Sequence, residues 1–455
     1  MINIIKFLRK NKYKFLVFVL ILFFLAFLGM WNIVSGGYDK QNKTILFIKK
    51  FIPSKLAREV RDTIFIIPDL KERNRYLELV MKKYDQGMNG EIFNEKIIIS
   101  EKNKNKYLFK EFFIPFSRLD LRLGWASSKN SLKKHYLEII EDKVLVISGN
   151  GQTIYFNKNN IFNKKLDQVN IPNNLKKILN LSKIELNGIR DLFVEENKVF
   201  ISLYFKNSKG FSMNVYVADL NYTKLNFSLF FESNQYWNQW STRTGGRIEK
   251  YVDNKILLSI GDGSTKNSPQ NLKSLLGKII SIDKETKEYE IISFGHRNPQ
   301  GLVYIEDLKL IINTEHGPKG GDEININYLD SAEPLNYGWD ISSYGTEYSG
   351  DDPYKKSHSE YGFIEPFKNY TPSIGISEIA YIPNNLGDEK LFFVSSLRAG
   401  SIYTLKTDNK ISKILDEDRI FFPEQRIRDI EYDKENDIFF LIFDPIPSIG
   451  ILKLI

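Results

Sequence analysis

The sequence predicts an all-β protein, a six-bladed β-propeller, preceded by an N-terminal transmembrane helix and a short, partly helical membrane-proximal region. Three observations predict this architecture: a succession of short strand-like runs, a weak repeat among them, and one long uncharged apolar segment near the N-terminus. The predicted organisation is a basic cytoplasmic tail at 1–14, a transmembrane anchor at 15–34, a membrane-proximal region at 35–110 and the propeller at 111–455.

The strand-like runs begin at about Tyr107 and are rich in Val, Ile, Phe and Tyr, with Gly, Asn and Asp between them. A weak repeat joins residues 189–192, Ile-Arg-Asp-Leu, with 427–430, Ile-Arg-Asp-Ile, since an acidic, Asn-containing turn and an apolar run follow each. About 320 residues in units of roughly 50 give six blades, within the range of known propellers. Two β-sandwiches are the alternative, because one sandwich is too small for this length.

The apolar segment at 15–34 predicts the membrane anchor. No charged residue occurs from Phe15 to Trp31, and about 20 helical residues span the hydrocarbon of a bilayer. Five basic residues precede it: Lys6, Arg9, Lys10, Lys12 and Lys14. Since basic flanks stay cytoplasmic, we expect a single-pass protein with its propeller on the periplasmic or extracellular side. A cleaved signal peptide is the alternative, because small residues follow at 35–37. Ser54 and Asp69 are candidate starts of the membrane-proximal helices.

Composition excludes several classes of function. The formal net charge is +8, but the lysines are spread along the chain, so a nucleic-acid partner is not predicted. The chain has no cysteine, which excludes disulfides, zinc–thiolate sites, iron–sulfur clusters and thiol catalysis.

Four segments are denser in Gly, Pro, His, Arg and Asp than surface loops require; they are 295–302, 315–325, 336–339 and 426–429. In a propeller such loops gather at one end of the central channel. Arg297, Arg426 and Arg428 would then present three cations, which suit a polyanionic ligand. Gly317 and Pro318 form a tight turn whose carbonyls could coordinate a hard cation such as calcium. Taken singly, each arginine also fits a blade-closing salt bridge and Gly-Pro a plain turn.

These segments, together with 246–248, 261–263 and 276–279, resemble in order and approximate spacing the glucose/sorbosone dehydrogenase family. That family includes soluble quinoprotein glucose dehydrogenase and the aldose sugar dehydrogenases. Residues 295–302, Gly-His-Arg-Asn-Pro-Gln-Gly-Leu, form a specific motif, whereas Gly-Asp-Gly at 261–263 is weak by itself. The resemblance covers roughly residues 135–455 and is strongest over 245–340.

The resemblance implies a six-bladed propeller that binds pyrroloquinoline quinone (PQQ) and calcium and oxidises the anomeric hydroxyl of an aldose. Arg297 and Asn298 would contact the quinone, and Arg426 and Arg428 would pair with the carboxylates of PQQ. The carbonyls of Gly317 and Pro318 would bind calcium. Arg398 stands near the place where the family often has a cofactor-binding lysine. The resemblance implies a sugar or related small molecule as substrate and leaves the electron acceptor unknown.

One position departs from the family. The catalytic histidine lies four residues before the arginine of a Gly-Arg-Ile motif in the family, and here that position is Arg243. A guanidinium has no acceptor lone pair, so it cannot take the proton of the sugar. Thr242 stands where an acidic residue often precedes the base, so we expect no acidic partner. Among four histidines, His316 is the candidate substitute base, whereas His296 is expected to support its loop and His135 and His358 to lie on the surface.

Two functions therefore stay open. The first is a membrane-anchored, PQQ-dependent aldose dehydrogenase-like oxidoreductase with an altered base or substrate. The second is a non-catalytic propeller that binds a sugar, a glycan or a protein partner.

Overall fold

The computed structural model describes residues 90, 92–114 and 134–455, with gaps at 164, 330, 332, 349–350, 384–388, 424 and 445–446. The predicted tail at 1–14 and anchor at 15–34 lie outside these residues, as do the candidate helix starts Ser54 and Asp69. Within the described ranges, no helix has the length and apolar character needed to cross a bilayer.

Two strands come first in the described chain: β1 (Ile92–Ile99) and β2 (Lys106–Phe113). Blade one follows with β3 (His135–Ile140), β4 (Lys143–Ser148), β5 (Thr153–Asn157) and β6 (Val169–Ile171). The helix α1 (Leu175–Leu181) leads to blade two, which has β7 (Glu185–Glu195), β8 (Lys198–Asn207), β9 (Gly210–Asp219) and β10 (Ser228–Glu232). Blade three has β11 (Gly245–Lys250), β12 (Lys255–Ile260), β13 (Lys278–Asp283) and β14 (Tyr289–Phe294).

The second half of the ring repeats the pattern. Blade four has β15 (Pro299–Ile305), β16 (Leu310–Glu315), β17 (Asp322–Tyr328) and, after the short β18 (Leu335–Asn336) that pairs with β14, β19 (Lys368–Tyr370). Blade five has β20 (Ile376–Ile382), β21 (Glu389–Ser396), β22 (Ser401–Asp408) and β23 (Ile414–Phe421). Blade six has β24 (Arg426–Asp433), β25 (Ile438–Asp444) and β26 (Ser448–Leu454). Short 3₁₀ helices lie at Lys158–Phe162, Glu306–Leu308 and Ser359–Tyr361.

The six sheets form a closed ring, because the first strand of each blade contacts the first strand of the next and β24 contacts β3. Every blade therefore packs between two neighbours, and its second strand is mostly buried; all seven residues of β25 are buried. The prediction of an all-β, six-bladed propeller is confirmed, and the two-sandwich alternative is wrong.

The predicted propeller boundary at residue 111 needs correction. Strand β2 pairs antiparallel with β26, from Tyr107 opposite Leu454 to Phe113 opposite Ser448, and β1 adds a fifth strand outside it. The propeller sheet therefore begins at Ile92, and the end of the region predicted as membrane-proximal and partly helical is β-structure. The reason is ring closure: an N-terminal strand covers the edge of the last blade and satisfies the backbone groups of β26.

Candidate functional site

The predicted loops meet at one end of the propeller. Pro299 on β15 lies opposite Glu315 on β16, so the loop before β15 stands beside the turn after β16. The His316 N–H donates to the carbonyl of Asn298 at 3.1 Å, and Arg297 Nη1 donates to the carbonyl of His316 at 2.9 Å. Two segments that the sequence singled out separately therefore form one wall of a cleft.

Arg297 is the buried cation of this wall. Its side chain is mostly buried, at 5% exposure, and its guanidinium lies 5.3 Å from the ring centre of Trp339. Among the described residues its Nε has no hydrogen-bond partner. Burial, and next the positive charge of Arg243, lower the pKa of Arg297. A desolvated donor without an acceptor is costly, so this nitrogen marks a place for an acceptor-rich ligand.

Arg243 is held by a buried carboxylate. Its Nη1 lies 3.2 Å from Asp262 Oδ2, which also accepts the Trp339 Nε1 hydrogen at 2.8 Å. The Arg243 guanidinium lies 6.0 Å from the Trp339 ring, so two arginines share one indole. Burial raises the pKa of Asp262, which is only 2% exposed, while Arg243 and Arg297 oppose that shift.

The expectation that Arg243 has no acidic partner is wrong. The partner comes from the Gly-Asp-Gly turn after β12 rather than from the neighbouring position in sequence. Gly261 and Gly263 make this approach feasible: a Cβ on Gly261 would lie 2.5 Å from the Arg243 carbonyl oxygen, and the Gly263 N–H donates to that oxygen at 2.9 Å. The two flanking glycines were the signal in the sequence, but a three-residue motif carries little information alone.

The turn from His316 to Gly321 is fixed by Asp322. Its carboxylate accepts backbone N–H groups of Gly317 at 3.1 Å, Gly375 at 2.7 Å and Ile376 at 3.0 Å. The Pro318 carbonyl accepts the hydroxyl hydrogen of Ser373 at 3.2 Å. In the part of the chain that the structure describes, no group of three or more His, Asp or Glu side chains could hold a metal ion, so any metal here would depend on such carbonyls.

His316 combines partial exposure with a neutral imidazole. Its side chain is 21% exposed, and Nδ1 lies 3.8 Å from Asp322 Oδ1. Burial lowers the pKa of His316 below 6.5, against the opposing effect of Asp322, so the ring is uncharged at pH 7 and can accept a proton.

The other three histidines are buried. His296 contacts Glu315 Oε2 at 2.9 Å through Nδ1 and the Ser293 hydroxyl at 2.8 Å through Nε2, which confirms its expected role in supporting the loop. His135 and His358 are 0% and 1% exposed, so their expected surface position is wrong. His135 starts the innermost strand of blade one, and the His358 ring stacks on Tyr344 at 5.4 Å. Neither lies in solvent, because each is covered by neighbouring loops or blades.

The remaining predicted site residues divide into two groups. Arg428 is 4% exposed, and its Nε and Nη2 both lie 2.9 Å from Asp444 Oδ2, so its charge already has a partner within the protein. Asn298 is also internal, since its Oδ1 accepts the Gly245 N–H at 3.1 Å. Arg398 and Arg426 are half-buried; their Nη1 atoms donate to the carbonyls of Ser373 at 3.1 Å and Leu397 at 3.4 Å.

Comparison with known proteins agrees with this geometry. Residues 137–445 match the family model described as Glucose / Sorbosone dehydrogenase. An uncharacterized protein of Synechocystis is 31% identical over 222 residues, which are 43% of this chain and 52% of that protein. An aldose sugar dehydrogenase of Escherichia coli is 26% identical over 214 residues, 43% of this chain and 56% of that protein. The chain thus spans about half the length of the curated relatives it matches.

Solved structures show the same fold. A crystal structure of glucose dehydrogenase superposes with a TM-score of 0.59 at 20% identity, covering 71% of this chain and 97% of that one. The PQQ-bound form of aldose sugar dehydrogenase from Streptomyces coelicolor superposes with a TM-score of 0.51 at 16% identity, covering 71% and 99%. The family model covers well over half of the chain, and the chain therefore belongs to the glucose/sorbosone dehydrogenase family.

Proposed function

We propose that the protein is a membrane-anchored, PQQ-dependent oxidoreductase of the aldose dehydrogenase type, in which Arg243 occupies the position of the usual catalytic histidine. Family membership and a similar fold in a PQQ-bound aldose sugar dehydrogenase support the cofactor and the sugar substrate. The observation that carries the proposal is the buried Arg297 Nε, which lacks an acceptor among the described residues.

The hydrogen-bond donors of the cleft suit the acceptor oxygens of PQQ. Carboxylate and quinone oxygens are acceptors, and Arg297 offers an unused, desolvated N–H to them. Arg398 and Arg426 are half-buried and lie at the end of the propeller where the predicted loops meet, so they are the proposed partners of the PQQ carboxylates. Arg428 is satisfied by Asp444 and instead orients Gln300, whose Oε1 lies 3.2 Å from Arg428 Nη1. When bound, PQQ would supply a quinone that accepts a hydride, one proton with two electrons, from the anomeric carbon of the sugar.

Calcium would bind at the turn of Gly317 and Pro318. Backbone carbonyls are ligands that calcium accepts, and Asp322 fixes the turn by accepting the Gly317 N–H. A Cβ on Gly317 would lie 1.9 Å from the Gly321 carbonyl oxygen, so only glycine fits this turn. The proposal therefore assigns calcium to main-chain oxygens that the fold holds rigidly.

The proton of the sugar hydroxyl needs an acceptor that Arg243 cannot provide. Asp262 is no substitute, because its Oδ2 already accepts from Trp339 and Arg243 and its Oδ1 accepts the Ser264 N–H at 2.7 Å. His316 is neutral, partly exposed and next to the proposed calcium carbonyls. We assign it the role of base, with Asp322 as its positioning residue.

Titration of the purified full-length protein with PQQ, with calcium and with a chelator, tests the proposal. Quenching of tryptophan fluorescence should show saturable binding that requires calcium, and Arg297→Gln should weaken it. Lys198→Gln is the control, since it removes a positive charge from the hairpin between β7 and β8, at the other end of the blade. Absence of calcium-dependent binding at micromolar PQQ would overturn the proposal.

The second candidate is a non-catalytic propeller that binds a sugar, a glycan or a protein. The ion pair between Arg243 and Asp262 favours it, because a fixed cation stands where the family has its base. Binding of glucose without any reduction of an artificial electron acceptor by the PQQ-loaded protein would select this candidate.

A further inference from the structure

The outer edge of blade six carries an apolar surface that no blade covers. Among the described residues, Ile97 and Ile99 of β1 are 57% and 52% exposed, and Ile455 after β26 is 60% exposed. Scattered apolar side chains are ordinary on protein surfaces, but a contiguous cluster calls for a partner.

The strand register places these side chains on one face. Ile97 lies opposite Leu108, which lies opposite Lys453 on the next strand. Two residues further along, Ile99 lies opposite Lys106, whose carbonyl accepts the Ile455 N–H at 2.9 Å. Directly paired side chains share a face of the sheet, and so do residues two apart. These six residues define the blade-six patch: Ile97, Ile99, Lys106, Leu108, Lys453 and Ile455.

The patch is exposed because β1 is a fifth strand. Further along the same face, Phe112 and Ile451 are buried and pack with blade-one residues such as Val146. The fifth strand, β1, and the end of β26 extend beyond the part of this face that blade one covers. The protein therefore exposes isoleucines at the edge of a sheet. Proteins normally pair or cover such an edge.

Charge indicates which partner fits. The patch itself contains Lys106 and Lys453 and no acidic residue, and Lys104 lies in the loop between β1 and β2. The carboxylates around it are engaged: Glu95, two residues before Ile97 on the same face, lies 3.7 Å from Lys110, Glu101 lies 3.1 Å from Arg419, and Asp416 pairs with Lys102. Isoleucines ringed by lysines match the interface of a bilayer that contains anionic lipid, where apolar side chains enter the headgroup region and lysines meet phosphates.

We infer that the blade-six patch docks the propeller on the anionic phospholipid surface of the membrane. This inference rests on the proposed membrane anchor at 15–34. Residues 35–91 separate that anchor from β1 in the sequence. The proposed anchor does not by itself determine which face of the propeller meets the lipid. The patch does so, with blade six on the lipid.

Single-cysteine labelling tests the inference, because the chain has no cysteine of its own. Full-length protein carrying Ile97→Cys is labelled with an environment-sensitive dye and reconstituted into vesicles with brominated lipids. Tyr289→Cys is the matched control: it is 48% exposed on the outer part of blade three, which stands opposite blade six in the ring. The dye at position 97 should be quenched in vesicles containing phosphatidylglycerol, and the dye at position 289 should not.

Charge reversal provides the second arm. Lys106→Glu with Lys453→Glu should abolish the quenching at position 97 while the protein still floats with the vesicles. Each lysine near an anionic surface changes the docking equilibrium about five-fold, so even one reversal should be measurable. Lys255→Glu with Lys287→Glu, on blade three, is the control for net charge and should leave the quenching unchanged.

The possible outcomes distinguish a failure of the docking surface from a failure of the proposed membrane anchor. Protein that fails to float with vesicles refutes the membrane anchor itself. Protein that floats while position 97 stays as accessible to an aqueous quencher as position 289 refutes the docking surface alone. Protection of position 97 that is independent of lipid charge and persists in detergent means that protein covers the patch, and it also overturns the inference.

Discussion

At the scale of the residue, the proposal of an altered base depends on Arg243. The structure adds the buried carboxylate of Asp262, 3.2 Å from Arg243, which would equally suit an imidazole N–H. A base placed here would already have a partner that fixes its tautomer. Under the proposed function, Arg243 thus replaces the family's base, while Asp262 remains as a carboxylate that could orient such a base.

We therefore predict that Arg243→His raises the rate at which the PQQ- and calcium-loaded protein oxidises glucose. A positioned general base contributes about 10²–10⁴-fold, which sets the upper range of the increase. The measurement is kcat with an artificial electron acceptor. Arg243→Gln removes the cation without adding a base and should give no comparable rise. An equal rise in both variants would mean that the positive charge, rather than the missing base, limits the rate.

His316 gives the opposite prediction for the residual activity of the unaltered protein. If His316 takes the proton, His316→Gln should lower kcat while KM changes little. Since burial lowers the pKa of His316 below its usual value, the imidazole is mostly neutral at pH 7, so kcat should be flat around neutral pH and fall only on the acid side. Asp322→Asn should shift the acid limb of that profile, because it removes the carboxylate that faces Nδ1. An unchanged profile in both variants would remove His316 from the mechanism.

At the scale of the element, contacts between sequence neighbours could be predicted, whereas contacts that depend on the pairing of distant strands could not. The segment 295–302 could be recognised because its residues are neighbours in sequence, in the turn after β14 and the start of β15. Asp262 could not be assigned to Arg243, since their contact depends on the pairing of β11 with β12. For the same reason β1 and β2 could not be assigned to blade six, because their partner β26 lies at the other end of the chain.

Ring closure by β2 leads to a stability prediction. Phe109 on β2 is 1% exposed and makes edge-to-face contacts with Phe422 at 5.3 Å and Phe443 at 6.0 Å. Phe109→Ala should lower the free energy of unfolding by about 3–5 kcal/mol, because it leaves a cavity beneath β2, the strand that pairs with β26. The measurement is unfolding in urea. Leu454→Ala is the control on the paired strand β26; its side chain is 52% exposed, so a loss within about 0.5 kcal/mol is expected.

At the scale of the whole molecule, one buried arginine joins the six blades. Arg247 on blade three contacts a residue of every other blade: Tyr136 of blade one, Asp191 of blade two, Gln300 of blade four, Glu378 of blade five and Asp429 of blade six. Three of these partners are carboxylates within 2.9 Å. The family motif around this arginine therefore supports the ring as well as the site.

Arg247→Met should consequently destabilise the propeller more than a surface ion pair could. Removing one partner of a buried ion pair costs about 3–5 kcal/mol, since the other charges stay buried without compensation. Unfolding in urea measures this loss, and Lys198→Met, which breaks an exposed pair with Asp219, is the control. A loss below about 1 kcal/mol for Arg247→Met would show that the three carboxylates are held by other groups.

Glu249, on β11 two residues after Arg247, makes the stability of the propeller depend on pH. Burial raises the pKa of Glu249 from 4.5 to about 8, against the opposing effect of the backbone N–H and the charge of Lys250. The folded protein therefore holds a proton that the unfolded chain releases above about pH 4.5. This contribution is complete below pH 4.5 and is lost as the pH rises to about 8. The thermal midpoint should fall between pH 5 and pH 8.5, and Glu249→Gln, which stays neutral, should reduce that fall. Glu306→Gln, a change at a side chain that is 77% exposed, should reproduce the unaltered protein. Equal pH dependence in all three proteins would mean that Glu249 is already ionised in the folded propeller.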